Sequence, residues 1–152
     1  MVYIKTGVLE KDRAISLDSI LQELIEHNNG RHVGGIGLFI GIVKGVVDEK
    51  HVLELEYEVI KELADKKLHE IASQVAEKYG INGIIILHRV GVLKPGEITL
   101  TIAVSGDTRK KILPALTEAL ERVKHEVPVF KLERRLDGEY WIIGDSTRIP
   151  KK

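Results

Sequence analysis

Cysteine is absent from the 152 residues, which removes disulfides, thiolate nucleophiles and thiolate metal sites together. Net charge is absent as well: 23 Lys+Arg balance 23 Asp+Glu. No overall field therefore draws the chain to nucleic acid or to a membrane surface, and any anion must be met by a local group of cations. No apolar run reaches the length of a membrane-spanning helix, and the N-terminus lacks the basic-then-apolar order of a secretion signal. The expectation is a soluble cytoplasmic protein. No GxSxG, HExxH or Walker A pattern occurs, and the six histidines show no metal-ligand spacing. No metal site is expected from these patterns.

What is present is a 43% hydrophobic chain, long enough for one domain over residues 1–152 with a real core. Residues 2–7 alternate as a strand. Residues 16–28 carry an amphipathic helix, with Ser16 as its N-cap and Asn29-Gly30 as its stop. The glycine-rich stretch 34–44 has the wrong spacing for a dinucleotide site and reads as a strand that another backbone or a ligand approaches closely. Residues 51–60 alternate strictly. Leu53, Leu55, Tyr57 and Val59 take one face and Glu54, Glu56 and Glu58 a solvated one. A helix over 61–79 ends at Gly80. Strands at 84–92 and 97–105 form a hairpin around Lys94-Pro95-Gly96. A last helix over 110–125 is predicted to start close before Pro114. Strands to Arg134 and over 140–143 follow, and the tail from Arg148 to Lys152 reads as frayed. The order β-α-β-β-α-β-β-α-β-β predicts an α+β sandwich with a largely antiparallel sheet.

Chemistry concentrates in Lys124-His125-Glu126-Val127-Pro128-Val129-Phe130-Lys131-Leu132-Glu133. Lys124 repeats with Leu116 and Leu120 at i, i+4 and i+8, on or beside the core-facing side of its helix. Lys131 shares a strand face with Val129. Lysines among apolar neighbours call for an anionic or reactive partner. Lys44, Arg89 and Arg109 are further cations at strand or helix ends, Arg109 where free backbone N–H groups favour an anion. His88 reads as a structural histidine. Two amines held close favour deprotonation of one, which can act as nucleophile or base while the other stabilises an oxyanion. The residues alone support an anion pocket.

Four stretches resemble the large, catalytic subunit of molybdopterin synthase: Phe39-x-Gly41-x-Val43-Lys44, Leu55-Glu56-Tyr57-Glu58, His88-Arg89-Val90-Gly91-x-Leu93-x-x-Gly96-Glu97 and Lys124-x-x-x-Pro128-x-x-Lys131-x-Glu133. The similarity spans about Gly34 to Trp141. It implies a two-layer α/β hammerhead-type sandwich and a homodimer within a heterotetramer. Each end would bind a small ubiquitin-like sulfur carrier whose C-terminal Gly-Gly thiocarboxylate donates sulfur to cyclic pyranopterin monophosphate, making the dithiolene without metal or organic cofactor. By position, Lys124 and Lys131 match the family's essential lysines. Phe39, Ile42, Val43, Lys44, Thr108, Arg109, Leu120, Leu132 and Glu133 match its substrate shell. Three departures stand out: Lys44 replaces an arginine, Thr108 a histidine and Phe130 a tryptophan. The first exchanges a bidentate phosphate clamp for a point charge. The alternatives are a relative that binds the carrier without efficient chemistry, and a binder of small phosphorylated molecules.

Overall fold

Hairpins alternating with amphipathic helices can bury their apolar faces only by laying the helices on the sheet. In the computed structural model, residues 1–144 and 146–152 are described, residues 28 and 29 without their side chains. The strands are β1 (Tyr3–Glu10), β2 (Gly35–Ile42), β3 (Val46–Val47), β4 (Lys50–Val59), β5 (Gly83–Leu93), β6 (Ile98–Gly106), β7 (Val129–Arg135), β8 (Gly138–Ile143) and β9 (Thr147–Pro150). The helices are α1 (Leu17–Glu26), α2 (Lys61–Tyr79) and α3 (Arg109–Glu126). The sheet order is β2-β6-β5-β4-β7-β8-β9, with β1 beside β5 and β3 beside β4. Among the described residues only β1 and β5 run parallel; the other pairings are antiparallel. The α+β class with a mostly antiparallel sheet is as the sequence predicts.

β5 is the spine. Its even positions Ile84 and Ile86 pack under α2 and α3, against Leu68, Ile71, Val75, Ile112 and Ala119. Its odd positions Ile85 and Leu87 meet Ile20 and Leu24 of α1 on the opposite face. The change of partners falls at Gly91, whose φ of +99° a side-chain-bearing residue adopts only with strain. Before it β5 pairs with β1 and β6; from Gly91 onward it pairs with β4.

The glycine-rich strand does receive a close neighbour. A Cβ on Gly37 would lie 2.9 Å from Ile112 Cγ2 and 3.2 Å from Leu116 Cδ2, so the missing side chain lets α3 settle onto β2. That contact sets α3 beside the end of β2 and fixes where Lys124 can reach.

Four predicted details need correction. Leu53 is 51% exposed while Val52 is buried, because a bulge between Val52 and Glu54 shifts the register and reverses the inward parity. Helix α3 starts at Arg109, capped by Thr108, and carries Pro114 inside it. Pro114 is exposed, so water can reach the carbonyl that loses its partner. The tail is not frayed: β9 pairs with β8, and the Lys151 amide donates to the Glu139 carbonyl at 2.9 Å. The glutamate face of β4 is not simply solvated either, since Arg134 bridges Glu54 at 3.1 Å and Glu56 at 2.5 Å. Helix α1 ends at Glu26 and passes into a 3-10 turn, His27–Gly30, which closes at the predicted stop with Gly30 at φ +68°.

Candidate functional site

Pro128 cannot continue α3, and Val127 turns into an extended conformation with φ −73° and ψ 127°. The chain thus passes directly from the helix carrying Lys124 to the strand carrying Lys131. In cross-strand register, Tyr57 sits opposite Lys131, Lys131 opposite Ile142 and Ile142 opposite Arg148. These four residues form one row across β4, β7, β8 and β9 on the face that α3 overhangs. The Lys131 ammonium lies 5.4 Å from the centre of the Tyr57 ring, a cation–π distance.

Two cavities share this row. The larger, about 610 Å³, is bounded by Phe39, Ile42 and Lys44, by Glu121 and Lys124 of α3, and by Lys131, Glu133 and Arg148. The smaller, about 110 Å³, runs behind it between the end of α3 and the start of β7, with His88 among its walls. Both lysines and Tyr57 border both cavities. Lys124 is exposed at the rim, Lys131 is half-buried and His88 is buried. The site is therefore graded from wet to dry.

Its interior groups are tuned by that gradient. Burial pushes the His88 imidazole down to about 4, and the charges of Lys131 and Lys124 act in the same direction. His88 Nδ1 lies 2.9 Å from the Arg89 carbonyl oxygen, so Nδ1 carries the proton and Nε2 the lone pair. Burial also pushes the Tyr57 hydroxyl up to about 12, offset in part by a hydrogen bond with Thr99. Both rings are neutral around pH 7.

Glu133 is 1% exposed. Arg148 Nε donates to its Oε2 at 2.9 Å, and Arg148 Nη2 to its Oε1 at 3.2 Å. A buried carboxylate needs such a partner, since alone it costs several kcal/mol. Arg148 itself has its pKa raised, chiefly by that hydrogen bond.

Over residues 11–126 the chain matches the family model described as "MoaE protein". The chain belongs to the MoaE protein family. Among its relatives, a molybdopterin synthase catalytic subunit of Bacillus subtilis is 38% identical over 125 residues, 82% of this chain and 79% of that one. One from Pyrococcus abyssi is 34% identical over 135 residues, covering 89% and 90% respectively. The solved molybdopterin synthase of Staphylococcus aureus superposes with a TM-score of 0.80 at 30% identity, over 90% of this chain and 96% of that one. A complex of subunits 1 and 2 of the Helicobacter pylori molybdopterin-converting factor shares the fold, with a TM-score of 0.68 at 19% identity, over 98% and 90% of the two chains.

Of the residues singled out in this MoaE-family sequence, six share the larger cavity: Phe39, Ile42, Lys44, Lys124, Lys131 and Glu133. Val43 is core; its amide donates to Glu97 and its carbonyl accepts from Gly96, tying the end of β2 to the β5–β6 turn. Leu120 packs half-buried against the core one turn before Lys124. Leu132 is buried on the opposite sheet face, paired with Glu56 and Trp141. Thr108 caps α3 by accepting from the Lys110 amide at 3.0 Å. With Arg109 it sits at the far end of α3, about 22 Å along the axis from Lys124 at 1.5 Å per residue. Arg89 binds the Arg13 carbonyl at 2.8 Å instead of facing the cavities. Sequence reasoning missed Arg148, Tyr57, Thr99 and Ile142 as walls. The register row would have found Tyr57, but nothing local marks Arg148. Among the described residues no cluster of three His, Asp or Glu could hold a metal ion, and no helix is long and apolar enough to cross a membrane.

Proposed function

We propose that the chain acts as the catalytic subunit of a molybdopterin synthase, a sulfurtransferase of molybdenum cofactor biosynthesis. The observation that carries this reading is the pair Lys124 and Lys131 at the junction of two cavities of unequal size. The larger cavity, with Lys44 and Arg148 on its walls, suits a phosphorylated pterin. The smaller one suits the narrow C-terminal tail of a sulfur carrier. The partner is then a small ubiquitin-like subunit ending in a Gly-Gly thiocarboxylate. The H. pylori complex of two subunits supports a partner of that kind. Lys131, between the cavities, attends the thiocarboxylate carbonyl. Lys124, at the rim, positions substrate and stabilises the charge that develops.

The resemblance assigns Arg109 to the substrate shell, whereas one chain leaves it about 22 Å from Lys124 along α3. Both statements hold together if a second copy supplies it, which fits a homodimer at the centre of a heterotetramer. The test is to mix the chain with thiocarboxylated carrier and cyclic pyranopterin monophosphate and follow dithiolene formation. Wild type makes product, and Lys131→Ala loses at least about 100-fold. Carrier binding without product from wild type would replace the enzyme with a non-catalytic binding module.

A further inference from the structure

His88 is 8% exposed and is set in the wall of the smaller cavity. Its Nδ1 is committed to the Arg89 carbonyl at 2.9 Å. Its ring stands edge-on to Tyr57, with centres 5.4 Å apart and planes at 69°, so its orientation is fixed from two sides. With Nδ1 so committed, Nε2 is the ring nitrogen whose lone pair is left to accept a hydrogen bond, and one N–H would meet it. The cavity's other walls join the apolar side chains of Leu100, Val123, Val127 and Val129 to the polar ends of Tyr57, Thr99, Lys124 and Lys131. Its volume of about 110 Å³ equals only about four waters at ~30 Å³ each, too little for a chain bearing bulky side chains.

An extended peptide ending in glycine meets all three conditions: it is narrow, it tolerates apolar walls, and it brings a backbone N–H. We infer that His88 Nε2 accepts the hydrogen bond of the last peptide N–H of the carrier's glycine tail, holding the adjacent carbonyl in register with Lys131. This rests on the proposed function and deepens it. His88 is a positioning residue in that scheme, because it touches the tail but not the bond that changes. Its neutrality around pH 7, set by burial, keeps it an acceptor.

The test is a double-substitution cycle on binding of the intact carrier by the full chain. The small subunit is prepared semisynthetically with a terminal Gly-Gly, with the last glycine N-methylated, and with both glycines removed. Each form is titrated into wild type, His88→Leu and His88→Gln. Wild type should bind the Gly-Gly form about tenfold more tightly than the N-methyl form, the worth of one buried hydrogen bond. His88→Leu should bind both equally, while His88→Gln, whose amide oxygen can accept, recovers part of the difference. Both variants should hold the tail-less form as wild type does. Discrimination by His88→Leu equal to that of wild type overturns the inference. So does a loss of affinity for the tail-less carrier as large as that for the intact one. Wild type that binds intact and tail-less carriers equally overturns the proposed function instead, so the two failures are distinct.

Discussion

Lys124 and Lys131 sit at different depths, and their substitutions should separate accordingly. Lys124 is exposed on α3, and surface substitutions there change stability by no more than about 0.5 kcal/mol. Lys124→Ala is expected to abolish dithiolene formation while leaving the melting temperature within about 2 °C of wild type. A large drop in melting temperature with full activity would make Lys124 structural. His88 gives the site a pH signature. Its folded value of about 4 lies below the ordinary 6.5, so as pH falls through 6.5 the unfolded chain takes up a proton that the folded one refuses. The stability contribution is full above pH 6.5 and declines between 6.5 and 4, by on the order of 3 kcal/mol. Among the described residues the charged or titratable groups that act on the ring are Tyr57 from β4, Lys124 from α3 and Lys131 from β7, and none of these is a carboxylate. In thermal unfolding scans across that range, His88→Gln should lose this part of the slope. An unchanged slope would show that His88 is not buried neutral.

At the scale of elements, β9 serves the site through one residue. Among the described residues, Arg148→Ala leaves the Glu133 carboxylate with Arg135, whose Nε is 3.7 Å from Glu133 Oε2. The expected loss is roughly 3 kcal/mol in urea unfolding, most of it recovered in Arg148→Ala/Glu133→Gln, because the second change removes the unpaired charge. No recovery in the double variant would show that Arg148 stabilises through packing alone. The contact of β2 with α3 is tested by Gly37→Val. Its Cβ would meet Ile112 at 2.9 Å, so overpacking of about 1–3 kcal/mol is expected, with Lys124 displaced and activity lowered further than stability. The helices, the β5–β6 hairpin and both lysines were legible because periodicity and turn residues are local. Leu53 was misread because a bulge leaves no mark in an alternating pattern. Arg148 was missed because its meaning depends on Glu133, reached only after β8 turns back. Leu132 entered the expected shell through the resemblance, and strand parity turns its side chain to the opposite sheet face.

The proposed second copy is a matter for the whole molecule. If Arg109 works in the partner's site, a chain with Lys131→Ala and a chain with Arg109→Ala should complement when mixed and refolded. Each mixed dimer then holds one site with both residues intact. Random pairing makes half the dimers mixed, so activity should return to about a quarter of wild type, read in the dithiolene assay. No return would place Arg109 in the service of its own chain, or outside the reaction.

The bend at Gly91 bears on how the molecule opens. Because β5 is bonded on both sides before the bend and to β4 after it, neither half of the sheet can be peeled away while leaving β5 intact. The amides of Ile84 to Leu87 should therefore exchange with solvent deuterium only through global unfolding, whereas those of β9, at the sheet edge, exchange through local fraying. The glycine that lets one strand change partners thereby joins the two halves into a single cooperative unit.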